Sequence, residues 1–231
     1  MLRPVDTTEL SSRQEVAPSP TLKITEIFRS LQGEGLTVGL PTVFVRLTGC
    51  PLRCRYCDTA YAFHGGERYT LQGILDTVRA LETRHVTVTG GEPLAQPESV
   101  TLLRLLCDQG YQVSLETSGE RDVSAVDPRV VKVMDLKTPG SGESSRNRLA
   151  NLEHLASHDQ VKFVICDRTD YEWARDTVLG HGLADRCEVL FSPAWQQLPA
   201  GKLADWMLDD HLQVRLQVQL HKVLWGDVPG R

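Results

Sequence analysis

Apolar and polar residues alternate from Leu22 to Ser30, the period of a strand with one buried face. Pro41 to Thr48 is instead a β-branched apolar run, which predicts a strand buried on both faces. At Tyr69 to Leu81 the period changes. Leu71, Ile74, Leu75, Val78 and Leu81 share one helical face, with Thr70 placed as N-cap. The two patterns then trade places to the end of the chain. Strands are expected at His85–Thr89, Gln112–Glu116, Val130–Leu136, Val161–Cys166, Cys187–Phe191 and Gln213–Leu220, the last running into His221 and Lys222. Helices are expected at Val100–Asp108, stopped by Gly110, and at Arg148–His158, Tyr171–Leu179 and Leu198–Leu208. Alternation of this kind predicts an α/β fold with a mostly parallel sheet and right-handed crossovers. No Gly-x-Gly-x-x-Gly follows a strand, so a partial, TIM-like barrel of about six parallel strands is expected rather than a dinucleotide-binding sheet. Polar or glycine residues follow nearly every strand, and a barrel gathers such ends at one rim.

Composition narrows the setting. The chain has 231 residues, 41% hydrophobic and 24% charged, ordinary values for a globular protein. A net charge of -5 and a pI near 5.8 argue against a general nucleic-acid binder. No apolar run approaches the roughly 18 residues of a membrane span. Met1 to Pro20 is rich in Ser, Thr, Glu and Pro and has no periodicity, so residues 1–20 read as a disordered tail or an engineered leader and 21–231 as a single domain. The tail has no apolar signal core, which makes the cytoplasm the expected location.

The Pro41–Thr48 strand delivers the chain to Cys50, Cys54 and Cys57, a C-x3-C-x2-C spacing. Three thiolates within eight residues can reach one inorganic centre but cannot complete its coordination. On a [4Fe-4S] cluster they leave one iron open for a small molecule. Three other readings compete. A structural zinc site wants a fourth ligand, and His64 is near, but no second Cys pair exists. A disulfide does not suit a chain without a secretory signal. Buried core thiols do not suit a loop carrying Pro51, Arg53, Arg55 and Asp58. Cys107, Cys166 and Cys187 read as core residues, none needed as a fourth ligand, and His64 and His85 as structural.

Other groups suit what an open iron would bind. Gly90 and Gly91 allow close backbone approach, and Glu92 offers a carboxylate to an ammonium group. Tyr56 offers a face to a purine, and Thr117, Ser118 and Ser192 offer hydroxyls to a carboxylate or ribose. Together they describe a site for S-adenosylmethionine, whose cleavage by a reduced cluster yields a 5′-deoxyadenosyl radical. Arg46, inside a buried strand, needs an anion: an internal carboxylate or a substrate carboxylate held bidentately. Gly33 and Gly35 around Glu34 give either a tight turn or a close approach to a ligand.

C-x3-C-x-Tyr-C after a strand, with Gly90-Gly91-Glu92-Pro93 downstream, resembles the radical S-adenosylmethionine superfamily. Leu31 to Gly35, Cys57-Asp58-Thr59, Glu116 to Gly119, Asp135-Leu136-Lys137 and Leu220-His221-Lys222 are similar to motifs of the 7-carboxy-7-deazaguanine synthase family, in order, from Leu22 to the C-terminus. The resemblance implies ring contraction of 6-carboxy-5,6,7,8-tetrahydropterin with loss of ammonia, a step of queuosine biosynthesis. It implies a [4Fe-4S] cluster, S-adenosylmethionine and Mg2+, a homodimer, and an electron donor such as a flavodoxin. Carried over, Leu31, Gln32, Gly33, Glu34, Arg46, Thr89 and His221 contact the substrate, and Thr59 ligates Mg2+. Asp58, Gly91, Asp135 and Lys137 join the S-adenosylmethionine set. In some members the chain ends soon after His-Lys and its terminal carboxylate closes the pocket. Here Val223 to Arg231 continues, which leaves open whether Arg231 reaches the substrate. Gln217, Gln219 and His221 fall on one face of the last expected strand, either a polar interior or a solvated edge. Two alternatives share the cysteine motif: an activase that makes a glycyl radical on a protein, and a non-enzymatic zinc or electron-transfer module.

Overall fold

The computed structural model describes residues 19–228 and Gly230. Of the tail expected at Met1–Pro20, only Ser19 and Pro20 are among the described residues, exposed and without regular structure. None of the described helices is long and apolar enough to cross a membrane.

Among the described residues nine strands form one sheet. β1 (Thr21–Leu31) pairs antiparallel with β2 (Pro41–Leu47) and with β3 (Glu67–Thr70), which closes that end of the sheet. From β2 onward every pairing is parallel: β4 (His85–Gly90), β5 (Gln112–Thr117), β6 (Val131–Asp135), β7 (Gln160–Ile165), β8 (Glu188–Pro193) and β9 (Arg215–Leu216). The expected partial barrel of parallel strands is borne out, with a two-residue seventh strand and an antiparallel edge added. Among the described residues five α-helices accompany it: α1 (Leu71–Ala80), α2 (Glu98–Asp108), α3 (Arg168–His181), α4 (Ala200–Asp209) and α5 (Leu220–Trp225). Thr70 caps α1 as expected, its hydroxyl accepting from Gly73 N at 3.1 Å.

Strand parity separates core from site. Val43, Val45, Leu47, Val86, Val88, Val113 and Leu115 pack against Leu71, Ile74, Leu75 and Val78 of α1 and Leu102, Leu103 and Leu106 of α2. Val161, Phe163, Ile165, Val189 and Phe191 pack with Tyr171, Ala174 and Val178 of α3 and Leu203 and Met207 of α4. The intervening residues, among them Arg46, Thr89, Glu116, Asp135 and Lys162, point to the concave side.

Two expectations fail. Arg148–His158 is not an α-helix but a 3-10 turn over Leu149–His154. Its Asn151 amide donates to Gly119 O and Arg121 O, which holds the segment against the loop after β5. Gln213–Leu220 is a strand only at Arg215–Leu216, and Leu220–Trp225 is helical. Leu220, Val223 and Leu224 have helical spacing and Gly226, at φ 68, stops the turn. Gln217, Gln219 and His221 therefore share no strand face, and His221 and Lys222 belong to α5.

Candidate active site

The loops after the parallel strands enclose a cavity of about 680 Å³ on the concave side. That size lies within the common range for small-molecule sites, roughly 300–1,000 Å³. The loop leaving β2 supplies Cys50, Cys54 and Cys57, all free, half-buried and on the cavity wall. Burial raises all three thiols, Cys54 to about 11; neighbouring sulfurs add to the rise at Cys50 and Cys54, and Asp58 adds to that at Cys57. Backbone bonds fix the loop: Gly49 N donates to Ala62 O at 2.8 Å, Cys57 N to Cys54 O at 3.2 Å and Arg55 N to Ser141 O at 3.0 Å. Three thiols facing one open volume suit a cluster with one iron unclaimed by protein. The other cysteines, Cys107, Cys166 and Cys187, do not line the cavity. Among the described residues no three His, Cys, Asp or Glu side chains group as ligands of a single metal ion.

The glycines at the end of β4, Gly90 and Gly91, serve the cysteine loop itself. A Cβ on Gly91 would lie 2.2 Å from Gly49 O, and Gly90 holds φ +152 against Leu47. Glu92 N donates to Gly49 O at 2.8 Å. The Glu92 side chain corrects an expectation. It is fully buried and accepts from Leu94 N at 3.0 Å, Thr117 Oγ1 at 2.9 Å, Ser118 N at 2.7 Å and Ser118 Oγ at 2.6 Å. Four protein donors saturate its two oxygens, so it holds no ammonium group, and Thr117 and Ser118, although on the cavity wall, have their hydroxyl protons directed to it. Ser192 is buried away from the cavity wall.

Other expected residues do converge on the cavity. Lys137 Nζ sits 2.9 Å from Asp135 Oδ2 and 6.0 Å from the Tyr56 ring centroid. Burial opposes the Lys137 ammonium, but Asp135 and the cysteine thiols outweigh it and raise its pKa. The buried Tyr56 hydroxyl and Asp135 Oδ1 find no hydrogen-bond partner among the described residues. Asp58 Oδ1 accepts from Thr59 Oγ1 at 2.9 Å, and Asp58 Oδ2 pairs with Lys222 Nζ at 2.9 Å. Burial of Asp58 alone would raise its carboxyl, but Lys222 holds it down at about 2. Arg46 pairs through Nε with Glu26 at 2.7 Å and still lines the cavity.

Leu31 ends β1, and Gln32, Gly33 and Glu34 follow it along the wall. Gln32 Nε2 donates to Thr87 Oγ1 at 3.1 Å and Glu116 Oε1 at 3.3 Å, and Thr89 Oγ1 donates to Glu116 Oε2 at 2.8 Å. A Cβ on Gly33 would lie 2.0 Å from His221 Nδ1, so this glycine makes room for His221. Arg231 lies outside the described residues; Val228 and Gly230 line the cavity.

Sequence reasoning gave no site role to five charged wall residues, Arg55, Glu116, Lys162, Lys222 and Asp227. Lys162 Nζ pairs with Glu34 Oε2 at 2.5 Å and lies 3.6 Å from Asp135 Oδ2, and Gln219 Nε2 donates to Glu34 Oε1 at 2.6 Å. Burial would raise the Glu34 carboxyl, but Lys162 brings it below its usual value. The signal for Lys162 was a cation between Val161 and Phe163, the same anomaly that marks Arg46.

A parallel barrel that hands three cysteines to a cavity at its strand ends is the arrangement of a radical S-adenosylmethionine enzyme. Residues 44–135 match the family model described as the Radical SAM superfamily. The fold is similar to the crystal structure of QueE from Escherichia coli, with TM-score 0.73 and 24% identity over 87% of this chain and 95% of that one. The chain is 45% identical over 219 residues to the 7-carboxy-7-deazaguanine synthase of Koribacter versatilis, covering 88% of this chain and 97% of the relative. It is 45% identical over 209 residues to that of Chlorobaculum tepidum, covering 89% and 94%, and 38% identical over 211 residues to that of Thermoplasma acidophilum, covering 90% and 99%. The chain belongs to the 7-carboxy-7-deazaguanine synthase family. That membership sets aside the activase and the zinc or electron-transfer module.

Proposed function

We infer that the chain converts 6-carboxy-5,6,7,8-tetrahydropterin to 7-carboxy-7-deazaguanine with loss of ammonia, as a lyase of queuosine biosynthesis. The observation that carries this reading is one cavity with three cysteines on its wall and Arg46 facing the same space. A [4Fe-4S] cluster with S-adenosylmethionine would, when bound, supply the radical chemistry for hydrogen abstraction. The chain's own residues bind, orient and neutralise. Cys50, Cys54 and Cys57 hold the cluster. Tyr56, Gly91, Asp135 and Lys137 line the region beside them and suit the zwitterionic S-adenosylmethionine: Lys137 faces its carboxylate, and Asp135, with one buried oxygen unpartnered, its amine. Arg46 receives the substrate carboxylate. Gln32, Gly33, Glu34, Thr89 and His221 surround the ring, with Glu34 and Lys162 offering an acceptor and a donor on one wall.

Thr59 is the proposed protein ligand of Mg2+. Its hydroxyl proton points to Asp58, which leaves its oxygen lone pairs for a cation whose remaining ligands are substrate and water oxygens. Residues 21–231 act as one domain in a cytoplasmic homodimer fed by a flavodoxin-like electron donor. The test is anaerobic incubation of reconstituted protein with dithionite, S-adenosylmethionine and the carboxypterin. Mass analysis should find a product lighter than substrate by one ammonia. Cleavage of S-adenosylmethionine without that product would refute the substrate assignment.

A further inference from the structure

A guanidinium offers a carboxylate two bidentate edges: Nε with one terminal nitrogen, or both terminal nitrogens. In Arg46 the first edge is taken, because Nε donates to Glu26 Oε1 at 2.7 Å. The hydrogen bonds of the described residues engage no other nitrogen of Arg46. Tyr61 donates its hydroxyl to the same Glu26 oxygen at 2.8 Å. The rings of Phe28 and Tyr61 each lie 5.9 Å from the Arg46 guanidinium carbon, and Phe28 is held by stacking on Phe44 at 5.1 Å. Arg46, Phe28 and Tyr61 line the cavity, whereas Glu26 does not.

The pairing of β1 with β2 shows how Glu26 comes to sit there. Ile24 faces Leu47, yet Glu26 faces Arg46, so one extra residue, Thr25, is inserted on β1. Without that bulge Thr25 would oppose Arg46, and Glu26 would oppose Val45. Bulges that re-aim a side chain beside a site are a known device. Tyr61 comes from the turn at Ala60–Phe63, four residues past Cys57, so the exit of the cysteine loop grips the same carboxylate.

We propose that Glu26 is a positioning residue for the reaction: held by the β1 bulge and by Tyr61, it fixes Arg46 by Nε so that both terminal nitrogens meet the substrate carboxylate end-on. This rests on the reading of Arg46 as the carboxylate receptor. Glu26 acts on selectivity through Arg46 and touches no substrate.

The test uses reconstituted holoenzyme with S-adenosylmethionine and no reductant. Binding of pterin-6-carboxylate and of pterin-6-carboxamide is read from pterin fluorescence. Glu26→Ala should weaken the carboxylate about tenfold and leave the carboxamide unchanged, the loss expected for a misaligned charged hydrogen-bond pair. Glu26→Gln, which still accepts from Nε, should keep the carboxylate preference within about threefold of the parent, because the lost charge matters less than the kept geometry. Tyr61→Phe should lose about threefold, selectively for the carboxylate. A parental carboxylate-to-carboxamide ratio in Glu26→Ala overturns the proposal. If Arg46→Ala removes the preference while Glu26→Ala keeps it, only the positioning role fails. If Arg46→Ala also keeps it, the receptor reading fails. Thermal melting checks the fold, and if Glu26→Ala does not fold, Tyr61→Phe decides: selective loss supports the proposal and parental binding overturns it.

Discussion

Glu92 is the sharpest place to separate scaffold from site. Its carboxylate collects four donors: the Leu94 and Ser118 amides and the Thr117 and Ser118 hydroxyls. In Glu92→Ala the two hydroxyls can rotate toward other acceptors, but the two amides cannot move. Each orphaned buried donor costs about 1–3 kcal/mol, so the loss is about 4 kcal/mol. For a chain of this size each kcal/mol shifts Tm by roughly 2–4 °C, which predicts a fall of roughly 8–16 °C. Glu92→Gln is expected to cost about half as much. Its carbonyl can keep the Ser118 donors, but its amide must then face Leu94 N–H. Circular-dichroism melts of cluster-free protein measure both values. The reasoning is refuted if Glu92→Gln leaves Tm within about 2 °C of the parent while S-adenosylmethionine affinity collapses. The carboxylate would then be serving the cofactor and not the loop.

Replacing Cys50, Cys54 or Cys57 by Ala should abolish both bound iron and 5′-deoxyadenosine formation, whereas Cys107→Ala should retain both; iron assay and chromatography read the two. Lys132 and Asp159 form a buried pair at 2.8 Å, and Lys132→Met leaves the carboxylate without its cation. Breaking such a pair costs about 3–5 kcal/mol. The low end applies because Asp159 still accepts from Lys132 N and Ala156 N, and a urea titration should show the loss with cofactor cleavage intact in the folded enzyme. Burial, with Asp159 nearby, pushes the Cys187 thiol up to about 11. A raised folded-state value means this contribution is complete below the unfolded thiol range near 9 and is lost as pH rises through 11. Cys187→Ala should therefore flatten the fall of Tm between pH 9 and 11, measured against the parent.

The parallel strands were legible because their side chains are apolar on the helix-facing parity and interrupted by polar residues on the other. β3 was not, since Glu67–Thr70 is short and polar and forms only by pairing with β1. The helix at Leu220 was read as strand because six residues carry too little periodicity to outvote the polar alternation before them. At the site, residue types told what could bind and not what was already bound. Glu92 looked like a free carboxylate because three of the four donors that saturate it lie 25 and 26 residues further on, at the end of β5. Lys162 carried the same signal as Arg46, a cation in an apolar strand, and the same inference applies to it.

The limit of sequence reading shows most plainly at Glu26. Period-two counting assigns each residue of a strand a face and fixes which partner it opposes once the register is known. One inserted residue breaks that count. Ile24 and Glu26 would be expected to oppose Leu47 and Val45, and the insertion at Thr25 instead sets Glu26 against Arg46. Nothing in the alternation of Leu22 to Ser30 announces the insertion, because it costs one polar position in a strand already rich in them. The energetic reason lies on the partner strand. An unpaired guanidinium beside the buried Val45 and Leu47 is costly, and a register that supplies it a carboxylate at 2.7 Å removes that cost. The charge on β2 thus selects the irregularity on β1, which a reading of either strand alone does not contain.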